Sequence, residues 1–291
     1  MKVLITGSHG QLGNEMQLVA AAHATADGDT YFFTDVDELD ITDEAAIDAF
    51  VVAHTVDAIV NCAAYTNVNG AESNTELCDR LNHLAPGNLA RVAQRRGCRL
   101  VHVSTDYVFD GTAHLPYRED DAPCPDSVYG RTKLDGERLI AEECPSAVIV
   151  RTAWLYSTFG NNFVKTMLTL GKTRPELGVV FDQIGTPTYA RDLAAAIHAI
   201  LHAAEWVPGI FHYTNEGVCS WYDFTLAIHA LGGVAGCHVR PLHTDEYPTP
   251  ARRPAYSVLD KTKIKETYHV AVPHWYDSLK ECIEQLAAAQ E

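Results

Sequence analysis

The sequence predicts an α/β fold organised as a doubly wound parallel sheet, and three observations carry that prediction. Short apolar, partly β-branched runs alternate with stretches of helical periodicity through the first half of the chain. A glycine-rich segment, Gly7-Ser8-His9-Gly10-Gln11-Leu12-Gly13, joins the first apolar run to the first helical pattern. An acid, Asp35, closes the second run at about the separation from those glycines that a dinucleotide-binding unit uses.

Lys2 to Thr6 reads as a short buried strand, and Glu15 to Ala22 as the helix after it. Between them the glycines each have a job. One makes the tight turn, one lets backbone approach a pyrophosphate, and one lets helix pack on strand. A diphosphate then rests against the helix N-terminal N–H groups. This makes the sheet Rossmann-type; a glycine-rich turn holding no ligand is the plainer alternative. Tyr31 to Thr34 is the second strand, and Asp35 suits the hydroxyls of an adenosine ribose. No Arg or Lys occurs from Tyr31 until Arg80, so a 2′-phosphate has no cation nearby in sequence. That favours NADH, or use of both NADH and NADPH. The opposing reading is that Asp35 is one more acid in a segment that also holds Asp37, Glu38, Asp40 and Asp43.

Thr42 to Val52 reads as a capped amphipathic helix, and Asp57 to Cys62 as the third strand. The strand runs into Ala63-Ala64-Tyr65-Thr66, whose small residues let a flat cofactor pass close to backbone. A helix follows from Asn82 to Arg95, with Gly97 as its stop. Arg99 to Ser104 is the fourth strand and delivers Thr105-Asp106-Tyr107 at its C-terminal end, where ligands gather in open α/β sheets. After a Pro- and Asp-rich loop, Leu115 to Val128, Tyr129 opens a helix that ends near Glu143, and Ala147 to Thr152 is the fifth strand. Asp192 to Ala204 is a helix read as core packing, with His198 and His202 structural or exposed. Cys219 to Leu231 reads the same way, Trp221 being a packing residue.

Tyr129 and Lys133 stand one helical turn apart on one face. A free phenol, with a pKa of about 10, holds its proton near neutrality. A cation one turn away stabilises the phenolate and brings the pKa towards the range where a general acid works best. Taken alone, such a pair is most often a solvated helical Tyr and Lys. Ser104-Thr105-Asp106-Tyr107, two dozen residues upstream at a strand end, reverses that judgement.

Composition sets outer limits. With 291 residues, 47% hydrophobic and 21% charged, the chain suits one large α/β domain or two unequal ones. Lys plus Arg is 22 against 38 Asp plus Glu, and the net charge of −16 argues against nucleic acid or an anionic membrane as partner. Eight scattered cysteines without a CxxC pair read as reduced thiols of a cytoplasmic protein. The run Val3-Leu4-Ile5 is too short for a signal-peptide core, and no apolar stretch reaches the length of a membrane span. The 14 histidines form no HExxH, and Cys237-His238 with His243 lacks zinc-site spacing, so no metal site is expected.

The glycine loop, Asn61 to Tyr65, Ser104 to Gly111, and Tyr129 with Lys133 together resemble the extended short-chain dehydrogenase/reductase family. Arg151 to Tyr156, Gly160 to Phe163, Asp182 to Thr188 and Tyr247 to Pro254 narrow the resemblance to the dTDP-4-dehydrorhamnose reductases, over Met1 to about Leu286.

That resemblance implies a smaller C-terminal α/β substrate domain. Residues 1–153 with about 183–209 would bind NAD(P)H, and about 154–182 with 210–291 would bind a nucleotide sugar. It implies reduction of the 4-keto group of dTDP-4-dehydro-β-L-rhamnose in the cytoplasm, by a monomer or homodimer. Tyr129 would be the acid, Lys133 its partner and a ribose ligand, and Thr105 a donor to the same oxygen. Gly7, Gly10, Gln11, Leu12 and Gly13 would meet the pyrophosphate; Asp35, Asp40 and Ile41 the adenosine; Ala63, Ala64 and Tyr65 the nicotinamide. Asp106 and Trp154 would meet the sugar, and Arg253 or Arg252 the diphosphate. Two departures stand out: Asn69 replaces a common Asp, and Arg191 falls where a glutamate would join Glu15 around a magnesium ion in some members, so that site is not expected. A non-catalytic protein resembling the methionine adenosyltransferase regulatory subunit is one rival reading. An epimerase or a reductase of another nucleotide sugar is a second. The Trp154 and Asn161-Asn162 runs favour the enzyme over the first.

Overall fold

The structure, a computed structural model, describes residues 1–289. Its frame is β1 (Lys2–Thr6), α1 (Gln11–Asp27), β2 (Thr30–Thr34), α2 (Glu44–His54) and β3 (Ala58–Asn61), then the single turns α3 (Val68–Ala71) and α4 (Thr75–Asp79). It continues through α5 (Ala85–Arg96), β4 (Arg99–Thr105), α6 (Val128–Glu143) and β5 (Val148–Thr152). A smaller region adds β6 (Leu155–Tyr156), α7 (Phe163–Thr173), β7 (Glu176–Val180), β8 (Ile184–Gly185) and β9 (Thr188–Tyr189). The chain returns to the frame with α8 (Ala190–Leu201) and β10 (Gly209–His212), and ends with β11 (Cys219–Ser220), α9 (Trp221–Leu231), β12 (His238–Leu242), α10 (Thr262–Tyr268) and α11 (Trp275–Ala288).

Six strands form one sheet in the order β10-β5-β4-β3-β1-β2, each neighbouring pair parallel. Because side chains alternate across a strand, Val3 and Ile5 face α1 and α8, where Leu193, Ile197 and Leu201 meet them. Leu4, Ile59 and Leu100 face the other way, onto Ile47, Val51, Leu89 and Ile140 of α2, α5 and α6. Both faces are dry, which explains why these strands read as continuous apolar runs. Each such leucine or isoleucine contributes about 1.5–3 kcal/mol of burial.

The elements depart from the sequence reading in instructive places. The helix expected from Asn82 is preceded by α4 and a π-helical turn, Arg80–Leu84, and is continuous with both. Pro86 has no N–H to offer the Asn82 carbonyl, so the backbone widens there. The Asn82 side chain turns outward to hold Tyr65, accepting from its N–H at 2.8 Å and donating to its carbonyl at 3.0 Å. The helix expected from Thr42 starts at Glu44, with the Asp43 carboxylate capping the N–H groups of Ala45 and Ala46. The helix expected at Tyr129 starts one residue earlier, with Ser127 as its cap.

The expected boundary at residue 210 also moves. Gly209–His212 pairs residue for residue with Val148–Arg151, so 210–212 belong to the sheet. Ile264 and Tyr268 of α10 join its core as well. The remainder of 210–291, whose last two residues lie outside the described residues, packs a second core with 154–182, made of Tyr156, Val164, Leu177, Phe224, Trp275 and Leu279. No helix among the described residues is long and apolar enough to cross a membrane.

Candidate active site

A cleft of about 930 Å³ opens above the C-terminal ends of β1 to β5 and is closed on its far side by the smaller region. Gly7, Gly10, Gln11 and Leu12 line one end. Gly7 has φ +67°, and a Cβ there would lie 2.6 Å from the Ala63 nitrogen, so no other residue lets these two loops meet. Gly13 does not line the cleft; a Cβ on it would strike the Gly7 carbonyl and Ser8, so this glycine serves helix packing. Gln11 and Leu12, which open α1, line the cleft, and the first N–H groups of a helix lack intrahelical partners, a cradle suited to a pyrophosphate.

Asp35, Val36, Leu39, Asp40, Ile41 and Leu81 surround the next part. Asp35 accepts from the His9 N–H at 3.0 Å, tying the glycine loop to the end of β2. Asp40 is held below the usual carboxylate range by the backbone and side-chain hydrogen bonds of Thr42, and the charge of Arg80 acts in the same direction. Arg80, distant in sequence, thus stands near Asp40, and the segment is less bare of cations than its sequence suggests. Ala63 and Ala64 line the middle of the cleft. Tyr65 does not: the grip of Asn82 on its backbone sets it aside, and Thr66 lines the wall instead.

Thr105, Tyr129 and Lys133 meet where β4 ends against α6. The Tyr129 ring stands edge-on to Tyr107, centroids 5.5 Å apart. The expected lowering of its pKa is absent from this ligand-free arrangement. Burial pushes the phenol up, a hydrogen bond with Thr105 opposing it. The Lys133 amine meanwhile bonds the Val103 carbonyl at 2.7 Å and His102 Nε2 at 3.2 Å. Burial brings Lys133 down to about 8, with Glu137 acting against it. Thr105 Oγ1 donates to Asp106 Oδ1 at 3.0 Å. Asp106, buried, is pushed up to about 6, and its Oδ2 has no hydrogen-bond partner.

Trp154 takes φ +49° and lays its ring on Trp221, centroids 3.5 Å apart and planes 9° apart. Gly185 makes room for it, since a Cβ there would lie 2.7 Å from the indole. Trp221 lines the cleft, so the packing role read from its sequence is incomplete. Phe163 packs on Trp221, and Asn162 donates to Gln11 Oε1 at 3.0 Å, joining the smaller region to the glycine loop. Of the two arginines, Arg253 faces the cleft, donating to the Tyr107 hydroxyl at 2.8 Å and to Asn69 at 3.4 Å. Arg252 is exposed and pairs with Asp126.

Glu15 is fully buried and both its oxygens are engaged, by Arg191 at 2.9 Å and Ser157 at 2.6 Å. Among the described residues no group of three His, Cys, Asp or Glu could hold a metal. His102, Leu81 and the cleft-lining face of Trp221 escaped sequence reasoning, because only tertiary packing brings Leu81 and Trp221 to the cleft and His102 against Lys133.

The chain matches the model described as RmlD substrate binding domain over residues 1–288. It is 40% identical to a dTDP-4-dehydrorhamnose reductase of Aggregatibacter actinomycetemcomitans, covering 96% of this chain and 97% of that one. The crystal structure of a Clostridium acetobutylicum dTDP-4-dehydrorhamnose reductase superposes with a TM-score of 0.93 at 44% identity, covering 99% of this chain and 100% of that one. That of the Bacillus anthracis enzyme in complex with NADP gives 0.92 at 36% identity, covering 98% and 99%. With the family model matched over nearly its whole length and such relatives covered almost end to end, the chain belongs to the dTDP-4-dehydrorhamnose reductase family.

Proposed function

We propose that this protein reduces the 4-keto group of dTDP-4-dehydro-β-L-rhamnose to give dTDP-β-L-rhamnose. One observation carries the reading. A single cleft brings the glycine loop, the Thr105, Tyr129 and Lys133 cluster, and the Trp154 and Arg253 side together. When bound, the reduced nicotinamide supplies the hydride, and the chain supplies position and charge.

Tyr129 gives its proton to the oxygen of the forming alkoxide, and Thr105 donates a hydrogen bond to the same atom. A donor so placed lowers the barrier by about 3–4 kcal/mol. Lys133 holds the nicotinamide ribose and, once there, favours the phenolate left on Tyr129. Asp106 accepts from a sugar hydroxyl through its unpaired Oδ2. Arg253 takes the diphosphate with its planar guanidinium. The stacked Trp154 and Trp221 wall off the sugar and exclude water from it. The sugar-binding part comprises about 154–182 and those segments of 213–289 that share its core, β10 and α10 going with the sheet.

Asp35 and Asp40 oppose a 2′-phosphate, while Arg80 offers it one cation, so NADH is preferred and NADPH is accepted. The enzyme works in the cytoplasm, where reduced dinucleotide is at hand. The test is oxidation of NADH and NADPH in the presence of the dehydro-sugar, with the product identified by NMR. Tight dinucleotide binding without turnover would point to a regulatory protein, and turnover without net cofactor consumption to an epimerase.

A further inference from the structure

Beneath the site a chain of buried side chains runs through the sheet and ends on Lys133. The Ala63 N–H donates to Asn61 Oδ1 at 3.1 Å, and Thr6 Oγ1 donates to the same oxygen at 2.8 Å. A backbone amide is always a donor, so it fixes which end of the Asn61 amide is oxygen. The Asn61 nitrogen therefore faces His102 Nδ1, at 2.9 Å, and Nδ1 must accept. A neutral imidazole that accepts at Nδ1 carries its proton on Nε2. His102 Nε2 lies 3.2 Å from Lys133 Nζ, whose other partner is the Val103 carbonyl at 2.7 Å. An ammonium has no lone pair to receive that N–H, whereas an amine has one. Asn61, His102 and Lys133 are each buried, where a donor facing a donor is costly.

We propose that His102 is a positioning residue that presents an Nε2–H to Lys133, so that the ligand-free protein holds Lys133 as a neutral amine, and that dinucleotide binding draws a proton from solvent onto it. The proposal rests on the reading that the dinucleotide lies in this cleft. Ribose hydroxyls entering there offer the acceptors an ammonium needs, and Nζ leaves the imidazole for them. Other groups facing Lys133 leave this polarity intact. Glu137, on the same face of α6, is engaged by Arg151 of β5 at 2.7 Å and by Ser104 of β4. Cys78 of α4 shares its sulfur with Thr132, and Tyr129 keeps its proton because burial holds it up. The charge that would acidify Tyr129 is thus absent until the cofactor arrives.

The tautomer is read first, without any ligand, from long-range 1H–15N spectra of the full chain, with the His102 signal assigned by its loss in His102→Gln. An Nε2–H form with an unprotonated Nδ1 is expected; an Nδ1–H form overturns the proposal, whatever becomes of the dinucleotide reading. Calorimetry of NADPH binding at pH 8 in two buffers of different ionisation enthalpy then counts protons. Wild type and His102→Gln, whose amide offers an acceptor and a donor, should both take up a measurable fraction of a proton. His102→Phe should take up none, and the alkaline limb of its dinucleotide affinity should move up by about one pH unit. Equal uptake in His102→Phe and wild type, or no uptake in wild type with clear binding, overturns the proposal. Should His102→Phe not fold, the tautomer and the wild-type proton count decide.

Discussion

Trp154 and Trp221 come from segments more than sixty residues apart, yet their rings stack 3.5 Å centroid to centroid and form one wall of the cleft. Such a pair is worth about 0.5–1.5 kcal/mol beyond its buried area. Trp221→Ala should therefore raise KM for the nucleotide sugar about tenfold while leaving the Kd of the reduced dinucleotide near wild type. Steady-state kinetics and direct titration separate the two, and an unchanged sugar KM would demote the wall to packing.

Tyr129→Phe removes the proton donor and little else. Turnover should fall by about 10²–10⁴-fold, with dinucleotide affinity retained. A variant turning over at the wild-type rate would strip Tyr129 of its role.

Arg253 and Arg252 are neighbours with opposite fates, one bonded to the Tyr107 hydroxyl inside the cleft and one paired with Asp126 outside it. Arg253→Ala should raise the sugar KM by about tenfold to a hundredfold, a loss of about 1.5–3 kcal/mol, whereas Arg252→Ala should change KM less than about twofold. The reverse order in the two variants would contradict the placement of the diphosphate.

Asp106 carries a pH signature. Its pKa is pushed up to about 6 in the fold, from 3.8. Between those values the folded protein binds the proton and the unfolded chain does not, so this group's contribution falls as pH rises through the window. Asp106→Asn should remove that dependence and be more stable than wild type at pH 7 by on the order of 2–3 kcal/mol. Urea midpoints of both proteins at pH 4 and pH 7 test this; a difference that does not grow with pH speaks against it.

Glu137 and Arg151 form a fully buried ion pair at 2.7 Å, with the guanidinium over the Phe109 ring at 5.1 Å. Glu137→Gln should lower stability by about 3–5 kcal/mol, because it leaves a buried guanidinium without its counter-charge. Denaturant melts are the measurement, and a loss under about 1 kcal/mol would mean that water reaches Arg151.

Local chemistry was enough to read the strands β1 to β5, the glycine loop and the Tyr129 and Lys133 pair. Each rests on a pattern only a few residues long: an apolar run, a turn that forbids side chains, one helical turn of spacing. The start of the helical run that ends at Arg96 was not legible in this way: the reading began it at Asn82, whereas α4 and the turn Arg80–Leu84 carry it back to Thr75, the backbone widening where Pro86 has no N–H to give. Ile210 to His212 was placed beyond the domain boundary for a related reason: a parallel edge strand looks like any other short apolar segment until a neighbour pairs with it.

The order of the elements through β5, the glycine loop and the one-turn spacing of Tyr129 and Lys133 were thus legible in the sequence alone, since short-range backbone sterics and side-chain type determine them. Tertiary structure decided which arginine faces the cleft, that Trp221 walls it, that Tyr65 and Gly13 do not line it, and that Arg80 stands near Asp40. It also decided the state of Tyr129 and Lys133, for a pKa depends on what surrounds a group in space. Burial, rather than the four-residue spacing between phenol and amine, is the largest influence on both.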